Sequence, residues 1–156
     1  MRRDVLMTEM TNEDLVELSE VMRDEDRAEV YAATGEDALT VLREMLSVSR
    51  DTYTFRSPDG SELLCCMGIR PATALGGTAM PWFLSSVYLP KYPRELLAHS
   101  RAAIGVWKQE YNVLVNFTDA RYTKAIRWLS KIGFTIHPPA PYGFSQLPFH
   151  RVEIRS

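Results

Sequence analysis

The sequence predicts one α/β (α+β) domain over residues 1–156, a mixed sheet with helices on both faces. Three observations predict it. Asp119 to Ile136 reads as an amphipathic helix running at once into a strand, with Tyr122, Ala125, Ile126, Leu129 and Ile132 at three- and four-residue spacing. Ala79 to Tyr88 and Val113 to Phe117 are apolar runs of strand length, joined by a long helical pattern, Arg94 to Tyr111. That is the crossover which parallel strands need. Thr52 to Arg56 and Glu62 to Ile69 flank Ser57-Pro58-Asp59-Gly60, a good hairpin-turn order.

The remaining elements follow in order. Val5 to Met7 is a short first strand, and Thr11 or Asn12 can cap a helix that buries Leu15, Leu18 and Met22. Ala28 to Ala33 continues as helix past the charge cluster Arg23 to Arg27 and stops near Gly35. Glu36 to Val48 is a second helix, with Leu39, Leu42, Met45 and Leu46 inward. Pro71 to Thr78 is a loop carrying Gly76-Gly77, and Pro81 inside the next strand implies a bulge or a late start. The long helix presents Leu97, Ser100, Ile104, Trp107 and Tyr111 on one face. Asp119 is the expected N-cap of the late helix, and Gly133 its left-handed terminator. Leu129, Ile126, Trp107 and Phe134 are expected in the core. Residues 138–143 read as a stiff proline loop, and Phe149 to Ile154 as the last strand. The order is therefore β-α-α-β-β-β-α-β-α-β-β.

Composition narrows the function. A hydrophobic fraction of 46% and a charged fraction of 24% are ordinary for a globular chain. A net charge of −2 gives no general electrostatic grip on nucleic acid. No apolar run approaches the ~20 residues of a membrane span, and no secretory signal follows Met1, so the expected location is not secreted and not membrane. Cys65 and Cys66, the only cysteines, are adjacent and fit a reduced intracellular protein. Their bland reading is small residues packed in a strand. His99, His137 and His150 show no metal-ligand spacing, and no metal is expected. Asp24, Glu25, Asp26 and Glu29 read as a solvated helix face pairing with Arg23 and Arg27. Arg121, Lys124, Arg127, Lys131 and Lys108 form a basic patch only if the two late helices are neighbours; a mixed solvated surface is the alternative.

The spacing Ala125, Ile126, Gly133, Phe134 resembles the late helix-to-strand segment of the GNAT acyltransferase superfamily, whose pattern is Asn-x-x-Ala, a hydrophobic run, a Tyr, then Gly-Phe. DRAEV (Asp26 to Val30), PWFLSS (Pro81 to Ser86), the helix Arg94 to Tyr111, NFTDA (Asn116 to Ala120) and AIRWLSKIGF (Ala125 to Phe134) also resemble GNAT-like small proteins of short-tailed bacteriophages. Some of those are internal virion or head-assembly proteins. The resemblance implies a mostly antiparallel sheet whose two central parallel strands splay into a cleft. It also implies acyl coenzyme A between the central strand and the next helix, on a turn reading Arg/Gln-x-x-Gly-x-Gly/Ala. In an active member the Asp24 to Glu29 region would shape the acceptor side.

This chain departs from that pattern. Leu89 to Glu95 has no glycine, and Pro90 and Pro93 remove two amide donors. Lys91 and Arg94, with Ser85 and Ser86, are the remaining candidates for coenzyme contact. Leu129 stands where the family's proton-donating Tyr is expected, and Tyr122 where its Asn is, leaving Tyr122 and Ser86 as candidate catalytic groups. The first function this predicts is a non-catalytic phage protein on a GNAT-like scaffold, contacting phage structural proteins or a host protein in the virion or the host cytoplasm. It would use no cofactor, bind no membrane and no nucleic acid in general, and could form a homo-oligomer. The alternative is an acetyl-CoA-dependent N-acetyltransferase modifying a protein or a small amine, such as a host factor. A third is a module that keeps the cleft for binding alone.

Overall fold

The computed structural model describes residues 4–72 and 76–156; the expected loop from Pro71 to Thr78 lies partly outside them. The chain runs β1 (Leu6–Glu9), α1 (Asn12–Val21), α2 (Asp24–Thr34), α3 (Ala38–Val48), β2 (Arg50–Arg56), β3 (Leu63–Pro71), β4 (Thr78–Ser85), a 3-10 turn (Leu89–Lys91), α4 (Pro93–Glu110), β5 (Val113–Asp119), α5 (Thr123–Ile132), β6 (Thr135–Tyr142) and β7 (Leu147–Arg155). The strands form one sheet in the order β1-β2-β3-β4-β5-β7-β6. Every pairing is antiparallel except β4 with β5, which is parallel, as expected for two strands joined through α4. The sheet is mixed and mostly antiparallel.

Helices cover both faces. Leu96, Ile104 and Trp107 of α4 pack with Cys65, Met67, Ile69, Leu114 and Val152 on one face. Leu15, Leu18, Leu42 and Met45 pack with Cys66 and Trp82 on the other. Cys65 and Cys66 thus face opposite layers, as alternation along a strand requires. Both are free thiols, and burial pushes the Cys66 thiol up to about 12, so neither is an activated nucleophile. The largest fully buried side chain is Trp107, whose burial alone contributes about 1.5–3 kcal/mol.

Four expectations are corrected. The single helix expected from Thr11 to Ala33 is two, α1 and α2. Thr11 and Asp14 form a capping box that starts α1. The helix then breaks at Met22 and Arg23, which adopt extended backbone and run antiparallel to Ser86. The stretch 138–141 is not a loop but part of β6, an edge strand, where proline costs no ladder bond. Asp119 does not cap α5: it ends β5, fully buried, and its carboxylate holds the Arg121 guanidinium at 2.7 Å. Of the apolar stripe on α5 only Ile132 is buried; Leu129 and Ile126 are half-covered. Trp107 and Phe134 are in the core as expected.

Candidate functional site

The site begins with how little β4 and β5 pair. Only Thr78 with Val113 and Ala79 with Leu114 are in register; beyond them the strands diverge. Asn116 Nδ2 reaches across the narrow end to the Pro81 carbonyl at 2.8 Å. Ser86 N–H donates to Leu64 O on β3, which sets the phase of the ladder. Residues 81, 83 and 85 therefore turn their backbone polar groups away from β3 and toward the gap. Phe83 presents its amide and carbonyl there.

A cavity of about 640 Å³ runs through the gap, within the range of small-molecule sites. One half is lined by α4 and α5, with Leu96, Ser100, Ala125, Trp128 and Leu129. This explains the half-covered stripe of α5: its apolar face is a cavity wall rather than core. Ser100 is fully buried there, and its hydroxyl has no hydrogen-bond partner. The other half is lined by α2, with Arg23, Glu25, Asp26 and Glu29. The cleft is thus apolar toward α4 and α5, and mostly acidic toward α2.

Of the α2 carboxylates, Asp24 and Glu25 are exposed as expected, whereas Asp26 is buried and Glu29 half-buried. Asp26 Oδ2 accepts Ser85 N–H at 2.7 Å and its Oδ1 accepts Arg23 Nη2 at 3.1 Å. Burial pushes its pKa up, against the pull of Arg23 and the Ser85 amide. Glu29 Oε1 accepts Asp119 N–H at 3.3 Å, at the end of β5. Burial, then the negative charges of Asp26 and Asp119, push the Glu29 carboxyl up to about 7, despite hydrogen bonds from the Asp119 amide and the Thr118 hydroxyl. At neutral pH such a group takes or gives a proton with equal ease. Burial also raises Tyr122, so its phenol stays protonated.

The residues singled out in the sequence scatter. Tyr122 and Ser85 line the cavity. The Ser85 amide is taken by Asp26. Ser86 is fully buried, donates to Leu63 O at 2.5 Å, accepts the Tyr88 amide and does not reach the cavity. Lys91 Nζ lies on the Glu62 carboxylate at 2.8 Å, and Arg94 is exposed on the first turn of α4. His99 meets Asp4, His137 meets Glu153 and His150 meets the His137 carbonyl. The resemblance points to the Asp24 to Glu29 region as the acceptor side, but the residues themselves read as a solvated face, and sequence reading singles out neither Asp26 nor Glu29. The available signal was Asp26 at four-residue spacing between Met22 and Val30, a carboxylate in line with two apolar side chains, all three of which are buried.

No family model and no curated protein matches the sequence. Solved structures do match the fold. The spermidine N-acetyltransferase of Vibrio cholerae, in complex with CoA and spermine, superposes with a TM-score of 0.74 at 9% identity, covering 97% of this chain and 95% of that one. An N-acetyltransferase from Staphylococcus aureus Mu50 gives 0.72 at 14% identity over 98% and 99%. A GNAT-family acetyltransferase from Bacillus anthracis gives 0.67 at 14% identity over 99% and 96%. The fold is that of the GNAT acetyltransferases.

Coenzyme A fits this cleft in part. The apolar half, with the Ser100 hydroxyl and the Phe83 amide, suits an acyl-pantetheine arm. The turn before α4 does not suit a pyrophosphate. Leu89, Lys91 and Tyr92 donate their amides to Ser86, Tyr88 and Leu89 carbonyls, closing a tight turn on itself. Pro90 and Pro93 have no amide to give. Of the converging donors that cradle a diphosphate, this turn keeps at most the first-turn amides of α4 that follow Pro93.

Proposed function

We propose that the cleft transfers an acyl group from a thioester to an amine. The observation that carries this reading is Glu29, a carboxyl raised to about 7 in the acidic half of a cavity whose other half is apolar. A cationic amine suits the α2 half, where Glu25, Asp26 and Glu29 gather; one structural neighbour is named for spermidine. An acyl-thioester suits the α4–α5 half. The two substrates then meet in the gap between β4 and β5.

Each residue has a task. An ammonium acceptor first loses a proton to the Glu29 carboxylate. The free amine nitrogen bonds the carbonyl carbon, and the Phe83 amide, turned toward the gap, is placed to receive the oxygen's developing charge. The C–S bond then breaks. The departing thiolate takes the nitrogen's second proton, directly or through Tyr122, and leaves as a thiol. The balance is thioester plus ammonium giving amide, thiol and one proton. Leu129 has no part in proton transfer; it is wall.

The test is product chemistry. The protein is incubated with S-acetyl-pantetheine or acetyl-CoA and a panel of butylamine, spermidine and lysine peptides. Amide formation seen by mass spectrometry with any of them supports the reading, and none with all of them rejects it.

The turn before α4 favours a second reading. Its closed amides and the Leu129 substitution suit a non-catalytic scaffold that holds phage structural proteins or a host protein, in the virion interior or during head assembly, as the sequence resemblance implies. Mass spectrometry of purified particles tests it: the chain's presence supports a structural role and its absence removes one.

A further inference from the structure

We propose that α4 and α5 form a docking face for an acidic carrier protein that delivers the acyl group on a phosphopantetheine arm. The inference rests on the acyl-transfer reading and names its donor. Two independent observations carry it.

The first is the mismatch at the turn before α4. The cavity accepts a pantetheine arm, but the amides of Leu89, Lys91 and Tyr92 are spent on neighbouring carbonyls. A nucleotide donor brings a diphosphate that needs such amides. A carrier-bound arm brings a single phosphodiester, which stays at the mouth beside its protein and needs only nearby positive charge.

The second is the charge of the mouth. α5 holds Lys124, Arg127 and Lys131 and no acidic residue. Their three- and four-residue spacing puts them on one face. On α4, Arg94, Arg101 and Lys108 recur every seven residues and share a face as well. The two stripes meet: Arg101 Nη2 donates to the Lys131 carbonyl at 2.9 Å. Lys124 lines the cavity, and Arg94 follows Pro93, which also lines it. Arg94, Lys124, Arg127 and Lys131 are all exposed. Among the described residues none of these four is in an ion pair. In a chain with net charge −2, this is a local surplus of positive charge beside the apolar mouth, opposite the acidic mouth of α2. An acidic protein surface complements it. A free nucleotide would use little of a face two helices wide.

On delivery the chemistry is unchanged. The amine nitrogen bonds the acyl carbon, the C–S bond breaks, and the arm departs as a thiol still attached to its carrier.

The test is calorimetry with four probes: an acidic acyl carrier protein bearing its phosphopantetheine arm, the same carrier without the arm, acetyl-CoA, and a 20-nucleotide RNA. The arm-bearing carrier is expected to bind at least ~10-fold more tightly than the other three. The triple variant Arg94→Glu, Arg127→Glu, Lys131→Glu, if its melting temperature is unchanged, is expected to lose at least ~10-fold in carrier affinity. If that variant does not fold, raising the salt must produce the same loss in the unaltered protein. Acetyl-CoA binding as tightly as the carrier, or carrier binding indifferent to charge and salt, overturns the proposal. Tighter binding of RNA than of carrier also overturns it and assigns the face to nucleic acid. Charge-dependent carrier binding with no amide formed from either donor leaves the docking face standing and removes the acyl-transfer reading. Amide formation from acetyl-CoA with no carrier binding does the reverse.

Discussion

Asp26 and Glu29 stand three residues apart on α2 and accept amides from two different strands, Asp26 from Ser85 at the end of β4 and Glu29 from Asp119 at the end of β5. One helix face therefore spans the gap where the sheet divides. Two carboxyls so close cannot both ionise cheaply, and the charge of Asp26 helps raise Glu29 to about 7. The hydrogen bonds that tie α2 to the split strands come from the same pair of groups that makes a base.

The raised carboxyl costs stability at high pH. Folded Glu29 keeps its proton up to about 7, while its ordinary value is 4.5. Between those values the unfolded chain binds fewer protons than the folded one, so stability falls as pH rises through that window. Glu29→Gln should remove the loss. Thermal unfolding should show the variant more stable than the parent at pH 8, by on the order of 2 kcal/mol, and no more stable at pH 4.

Asp26 should separate charge from hydrogen bonding. Asp26→Asn keeps an acceptor for the Ser85 amide and removes the repulsion on Glu29. A carboxyl NMR titration should show the Glu29 pKa falling toward its ordinary value. Asp26→Ala also leaves the buried Ser85 amide and Arg23 without their partner. Urea unfolding should find it about 1–3 kcal/mol less stable.

The α5 stripe should prove a wall rather than core. Leu129 is half-covered and lines the cavity, so Leu129→Ala enlarges a space already open to solvent. Its cost in urea unfolding should stay below about 2 kcal/mol, against about 3–5 kcal/mol for Trp107→Ala in the closed core.

These residues show where sequence reading worked and where it stopped. Periodicity located the strands and the long crossover helix because each apolar stripe reports a face turned from water. It could not say whether the stripe of α5 meets packed side chains or a cavity, since both favour the same residues. Within the charge run from Asp24 to Glu29, the solvated reading failed at Asp26 and Glu29 for the opposite reason. Charge on a helix is usually solvated, and only the fold brings the ends of β4 and β5 against Asp26 and Glu29. The prolines of β6 imitated a loop, because local signals do not reveal that a strand lies at a sheet edge. The absence of glycine between Leu89 and Glu95 was legible, but the closure of that turn on its own amides was not.

Gly143 should matter through α2. It adopts a φ of +72°, and a Cβ there would stand 2.7 Å from the Ala33 carbonyl oxygen. The next two amides, Phe144 and Ser145, donate to Ala33 and Ala32 at the end of α2. Gly143→Ala should destabilise the protein by more than about 1 kcal/mol. Hydrogen exchange should show faster loss of protection at Phe144 and Ser145 than at β3 amides.

The most direct test is the pH dependence of amine-dependent thiol release from an acyl-pantetheine donor, measured for the parent protein and for Glu29→Gln. The parent rate should rise with pH on an acid limb centred near 7, following deprotonation of Glu29. The variant should lose about 10²–10⁴ of that rate and the limb with it, while melting no lower than the parent at pH 8. Thiol release that is absent in the parent, or that proceeds equally in the variant with the same acid limb, would contradict the account.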